Sequence, residues 1–242
     1  MKIVLTALAL LFGSISFAQD RSKAVRVNLG VFYSQRSIYR GALIWDGAIL
    51  AAGPSFILYD RISVGAGGLS AFKRFGEFHT VTIGFSYFDD NEPSGPVLKL
   101  SNSVEDYKNQ RSATFGSYLK YDYRNEQYIA FSSELHKDLK RHKGLYSYNK
   151  LSTSILPFLT LGIAYGIGDS NNNKYVYGPE GTSGGAHFDY LASVMLPILP
   201  WQGRLIMSYT YITITKSENI AADYIRGLES NEQISLGAMW SF

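Results

Sequence analysis

The sequence predicts an all-β chain, an antiparallel transmembrane β-barrel of about 12 strands, with ten as the alternative count. Three observations predict it. Apolar and polar residues alternate strictly in segments of roughly ten residues, the length a tilted strand needs to cross a bilayer. The 242 residues carry 18 Tyr, 14 Phe and 23 Gly, a composition of strand formers and strand-bending residues. The last segment alternates all the way to the terminal carboxylate at Phe242. Mean hydropathy is −0.05, and beyond the N-terminus no apolar run is long enough for a membrane helix.

The N-terminus reads as an export signal. Met1-Lys2 precedes an apolar run from Ile3 to Phe12, and small residues lead to Ser16-Phe17-Ala18 before Gln19. A charged start, a short apolar core and small residues at the end form a secretory signal, with cleavage expected after Ala18. The run is short for a membrane-spanning helix, which takes about 20 residues. Residues 19–242 then make a single barrel domain. The chain has no Cys, which excludes disulfides, thiol nucleophiles, Cys-ligated metals and a lipid-anchored N-terminal cysteine. Losing Lys2 leaves 22 basic against 20 acidic residues, nearly neutral, with no basic block that would point to nucleic acid.

The strands follow in order. From Val25 to Tyr33, Val25, Val27, Leu29, Val31 and Tyr33 share one face, and Arg26, Asn28, Gly30 and Phe32 the other. Apolar stretches at Ser55–Tyr59 and Ile62–Leu69 flank a turn at Asp60-Arg61. Gly65-Ala66-Gly67-Gly68 falls inside a strand pattern, where glycine means bending or close approach. Val81, Ile83, Phe85 and Tyr87 alternate with threonine, glycine and serine. Further alternating runs cover Ala113–Arg124, Tyr128–Asp138, Leu145–Ile155, Phe158–Gly166, His187–Leu196, Arg204–Thr215 and Gln233–Phe242. A single-chain barrel needs an even strand number, so Ile38–Leu50 is expected to hold the twelfth strand.

The connections come in two kinds. Asp60-Arg61, Arg124–Gln127, Arg141–Gly144 and Pro200–Gly203 are tight, whereas Asp89–Arg111, Asp169–Gly185 and Lys216–Glu232 are long and polar. Tight turns on one rim and long loops on the other describe a barrel of the Gram-negative outer membrane. A soluble β-sandwich also alternates. Against it stand polar faces dense in Gly, Ser and charge, with Tyr clustered at strand ends as in an aromatic girdle. At the C-terminus Ile234, Leu236, Ala238, Trp240 and Phe242 alternate to the last residue, where soluble chains usually fray. This pattern resembles the terminal signature read by the outer-membrane barrel assembly machinery.

The polar faces carry a mixed charge ladder: Arg26, Lys120, Asp122, Arg124, Glu134, His136, Asp138, Lys150, His187 and Asp189. Both signs are present, whereas an ion-selective pore would show one in excess. His136 shares a face with Glu134 and Asp138, and His187 with Asp189, so each imidazole has a carboxylate at hand for general-base work. The same spacing is that of ordinary same-face neighbours on a strand. There is no G-x-S-x-G elbow, no His-rich metal spacing and no glycine loop leading into a helix. No catalytic residue, cofactor or metal is assigned from the sequence.

Several local features resemble the MipA/OmpV family of outer-membrane proteins. They are Tyr39-Arg40-Gly41 after the first strand, Asn173-Lys174-Tyr175-Val176-Tyr177-Gly178, the Gly-rich stretch Gly181–Gly185, Trp201 before a strand, and the terminal aromatic strand. The loop after Thr215 departs from the family in lacking a Ser-Pro pair. The resemblance implies a non-enzymatic barrel that contacts outer-membrane lipid. For some members it implies a scaffold between a murein transglycosylase and a murein synthase. Two alternatives are carried: a narrow channel for small solutes, from the charged lumen, and a barrel enzyme acting on lipid or peptide, from His136 and His187.

Overall fold

A computed structural model describes residues 24–65, 68–88, 97–99, 114–125, 128–220 and 229–242. The expected signal segment 1–18, Ala113 and most of the loop 89–111 lie outside the described residues. The strands are β1 (Val25–Ser34), β2 (Ser37–Tyr39), β3 (Ala42–Trp45), β4 (Ile49–Leu58), β5 (Ile62–Gly65), β6 (Gly68–Phe75), β7 (His79–Phe88) and β8 (Val97–Lys99). They continue with β9 (Thr114–Arg124), β10 (Ile129–Asp138), β11 (Leu145–Leu156), β12 (Leu159–Gly168), β13 (Gly184–Leu199), β14 (Gly203–Ile214) and β15 (Ser230–Ser241). Among the described residues two helices, α1 (Ser170–Tyr177) and α2 (Ser217–Ile220), lie in loops.

Twelve of these strands form a closed antiparallel wall. Neighbours pair in chain order from β9 to β15, β15 pairs with β1, β1 with β4, and β4 to β7 lead back to β9. Closure pairs the strands all the way round the wall, the condition for spanning hydrocarbon. The last residue makes the seal: Phe242 N–H donates to Val27 O at 2.8 Å, and Val27 N–H donates to Phe242 O at 3.1 Å.

Alternation sorts the two faces. Leu29, Val31, Ile83, Phe85, Leu119, Leu135, Ile163 and Leu236 all point outward and are exposed, as a lipid-facing belt requires. Tyr59, Tyr128, Trp201 and Phe242 lie exposed at the rim where β1 starts and β15 ends, and amphipathic rings there settle at headgroup level. That rim carries short connections at 59–61, 76–78, 125–128, 157–158 and 200–202, so it is the periplasmic one. The long connections, α1 and α2 occupy the extracellular rim.

The wall has twelve strands, but Ile38–Leu50 does not supply the twelfth. Ser37–Trp45 forms the separate β2–β3 hairpin. The missing strand comes instead from Ile62–Phe75, which folds back on itself around residues 66–67 into β5 and β6. The glycines at 65 and 68 therefore flank a reversal rather than a bend within one strand, and Gly68 sits at φ 149. A residue with Cβ is strained there, and the added atom would lie 2.0 Å from Phe85 O. Because β5 has only four residues, the upper edge of β4 is covered by β8, which pairs Val97–Lys99 with Ile49–Ala51.

Candidate functional site

The β2–β3 hairpin turns into the extracellular mouth. Tyr39 pairs with Ala42 across Arg40 (φ 49) and Gly41 (φ 89). Two consecutive positive φ values make the tight hairpin turn whose twist suits antiparallel strands, and glycine is the residue that accepts the second one. A Cβ on Gly41 would lie 2.8 Å from the Cβ and Cγ of His187, so the bare backbone lies flat on that imidazole.

Helix α1, which joins β12 to β13, meets the hairpin in the mouth. Asp169 caps its start by accepting the Asn172 N–H at 2.8 Å, and Gly178 ends it. Tyr39, Ala42, Ile44, Val176, Tyr177, Ala186 and Ile214 form one buried apolar cluster, so the mouth is packed like a small protein core. Polar contacts fix its register. Tyr177 Oη donates to Arg40 O at 2.7 Å, Asn231 Nδ2 donates to Gly41 O at 3.1 Å, and Arg40 Nη1 donates to Asn172 Oδ1. Asn172 and Asn173 are fully buried and bonded to each other at 3.0 Å.

Under this cap, one side of the lumen carries a belt of ionisable groups. Lys120, Glu134, Tyr148, Gly166 and His187 occupy one register row from β9 to β13, and Asp122, Ser132, Lys150, Ala164 and Asp189 the next. Lys120 Nζ lies 3.3 Å from Asp122. His136 Nε2 bonds Glu134 Oε1. His187 Nδ1 meets Asp189 Oδ1 at 2.5 Å and its Nε2 meets Tyr146 Oη at 2.7 Å, while Tyr148 Oη donates to Asp189 Oδ2 at 2.8 Å. The Arg40 guanidinium sits over the Tyr146 ring, 4.5 Å from its centroid. A continuous chain thus links the cap to the wall: Arg40, Tyr146, His187, Asp189, Tyr148.

The other residues singled out in the sequence lie elsewhere. Arg26 is buried near the periplasmic rim and pairs with Asp60. Arg124 ends β9 on the same rim, opposite Ala130. Asp138 lies at the top of β10, where its Oδ1 accepts four consecutive backbone N–H groups of residues 140–143 at 2.7–3.2 Å. The C-terminal residues Ile234, Leu236, Ala238 and Trp240 face outward along β15, and Trp240 Nε1 donates to Pro200 O at 3.0 Å. Arg40, Tyr146, Tyr148, Asn172 and Asn231 complete the site without having stood out in the sequence. In the sequence the Tyr39-Arg40-Gly41 segment carries only a family resemblance. Its placement in the lumen needed the hairpin to be told from a wall strand.

Chemically the belt is held rather than poised. Both nitrogens of His187 are engaged, and among the described residues no serine or threonine hydroxyl bonds to either lumen imidazole. Outside the wall, His142 in the β10–β11 loop stacks on Tyr175 of α1 at 4.4 Å and accepts the Gly144 N–H on Nδ1. Burial first, and then the nearby Arg40 charge, lower its pKa to about 4, so it stands neutral against the cap at neutral pH.

No family model matches the chain, and no curated protein matches it in sequence. Solved structures similar to it include the KdgM porin (TM-score 0.44, 11% identity, covering 90% of this chain and 99% of that one). The NanC porin gives 0.44 and 11%, with 89% and 98% covered. An outer-membrane channel from Pseudomonas putida F1 gives 0.42 and 11%, with 95% and 100% covered. By its own closed wall, apolar belt and two unlike rims, the protein is a twelve-stranded outer-membrane β-barrel.

Proposed function

We propose that the protein is a narrow channel for small polar solutes, here in a capped state. The observation that carries this reading is the lumen lining below the cap. There short hydroxyl side chains point inward, Thr80, Thr82, Ser132, Ser152, Thr160, Ser193 and Ser208, interspersed with the larger Phe72, Leu191, Met195 and Ile206. Short hydroxyl side chains leave space and hold water, whereas a barrel built only as a scaffold has no need of a wettable interior. The ionisable belt above carries Lys120, Lys150 and Arg40 against Asp122, Glu134 and Asp189, a balance that favours neutral or zwitterionic solutes over one sign of ion. Single-channel recording on the full barrel in planar bilayers tests this. Brief openings of small conductance with weak ion selectivity are expected. A flat closed baseline, in wild type and in a variant with its hairpin displaced, refutes it.

A second reading is an envelope scaffold. It is favoured by the packed core that closes the mouth and by the MipA/OmpV resemblance. On that reading the barrel anchors periplasmic murein-remodelling enzymes, a transglycosylase with a synthase, through its periplasmic turns. Co-purification of such enzymes from crosslinked envelopes, together with a flat baseline, would favour it. On either reading the alternating end at Trp240 and Phe242 serves as the signal for the barrel assembly machinery.

A further inference from the structure

We propose that the β10–β11 loop and the outer wall beneath it form a binding site for a phosphorylated glycolipid of the outer leaflet. From Lys137 to Lys143 the chain reads Lys-Asp-Leu-Lys-Arg-His-Lys. Its only carboxylate is turned away from the surface: Asp138 is 3% exposed, with one oxygen wrapped by the loop's own N–H groups. Its imidazole also faces inward, stacked on Tyr175 of the cap. What remains outside is cationic. Lys140, Arg141 and Lys143 are exposed, and Lys137 points outward from β10 with its ammonium reaching the Lys143 carbonyl, which sets those two residues side by side. Four backbone bonds to a single carboxylate oxygen hold the loop, so the cations are displayed on a fixed frame.

The wall below this loop departs from the lipid-facing pattern. Ser133, Ser147 and Asn149 occupy outward positions of β10 and β11 where the neighbouring strand β12 presents Tyr165 and Ile167. Ser133 Oγ donates to Asn149 Oδ1 at 2.7 Å and Asn149 Nδ2 donates to Ser147 Oγ at 3.1 Å. Beyond these two bonds the Asn149 amide keeps one hydrogen and further acceptor capacity. Against hydrocarbon these groups are costly. Against a sugar headgroup with hydroxyls and amide-linked chains they are matched. Phosphates on the loop cations, sugar and amides on Ser147 and Asn149, and acyl chains over exposed Phe131 and Leu151 in the next row down describe one amphiphile spanning the rim. An ordinary phospholipid brings the phosphate without the polar groups below it.

The test uses the full barrel in detergent micelles, with folding checked by heat-modifiable migration. Bisphosphorylated lipid A is the probe, and phosphatidylglycerol the comparison, read by native mass spectrometry. Each basic residue at an anionic lipid surface contributes about fivefold, so Lys137→Ala/Lys140→Ala/Lys143→Ala should weaken lipid A binding by about a hundredfold. Lys73→Ala/Lys174→Ala removes charge elsewhere and should change it by about threefold at most. Ser147→Ala/Asn149→Ala should weaken lipid A and leave phosphatidylglycerol unchanged. Lipid A binding unaltered in the triple variant would overturn the site. Equal affinity for the two lipids in wild type would overturn the glycolipid assignment.

Discussion

Gly41→Val should lift the hairpin out of the mouth. The substitution adds a Cβ at a position with φ 89, where it would meet His187 at 2.8 Å. A side chain forced into the left-handed region costs about 1–2 kcal/mol, and overpacking a filled site about 1–3 kcal/mol more, so the docked state loses about 2–5 kcal/mol. At 1.4 kcal/mol per tenfold, even the lower figure shifts the docked-to-lifted ratio about thirtyfold. Ala42, fully buried in the cap, provides the reporter. Because the chain has no Cys, Ala42→Cys creates one thiol whose maleimide labelling rate follows lifting of the hairpin. Labelling should be slow in the wild-type background and at least about thirtyfold faster with Gly41→Val. Both proteins should keep heat-modifiable barrels, since the wall does not depend on the hairpin. Equal labelling rates would refute the docked geometry. Faster labelling with a still flat conductance baseline would leave the cap intact as a structure and remove it as a gate.

Tyr177→Phe deletes the 2.7 Å bond to Arg40 O and leaves a buried carbonyl unpaired. The cap should lose about 1 kcal/mol, read as about fivefold faster labelling of the same thiol. The cap should also weaken in acid. His142 has its pKa lowered to about 4 by burial and by Arg40, against an ordinary value near 6.5. Its stabilising contribution is complete above about pH 6.5 and is lost as pH falls through about 4, because the unfolded loop takes up the proton first. Proteolysis of α1 should quicken across that window, and His142→Gln should flatten the dependence; an unchanged profile in the variant would exclude His142 as the source. Deleting Phe242 removes the reciprocal pair with Val27 and should reduce the yield of heat-modifiable barrel sharply. Full yield would show that the seal does not depend on the last residue.

The wall was legible because its physics is local. Period-two alternation, as in Val81, Ile83 and Phe85, reports which face meets lipid, and no distant contact is needed to read it. The tight turns at Asp60 and Trp201 were visible for the same reason. The cap was not, because Ser37–Trp45 has the composition of a strand and forms one, but as a hairpin inside the mouth. What decides its place is Gly41 against His187 and Asn231 against the Gly41 carbonyl, contacts about 150–190 residues apart in the chain. Alternation assigned His187 and Asp189 to one face, but could not show that Tyr146 and Tyr148 from another strand complete the chain of bonds. Likewise Asp138 read as one more lumen charge, and only the fold of residues 139–144 shows that its oxygen serves their backbone.

The cap also imposes an order of events on assembly. Its hairpin belongs to the connection between the first two wall strands and is made early. The groups that receive it, α1, His187 and Asn231, come from the last third of the chain. Closing loops of that length is slow, and the final seam joins β1 to β15 only when Phe242 has arrived. Until then the hairpin has nothing to rest on, and the nascent barrel is an open curl with an unoccupied centre. The plug therefore seats only once the C-terminal strands that receive it are in place.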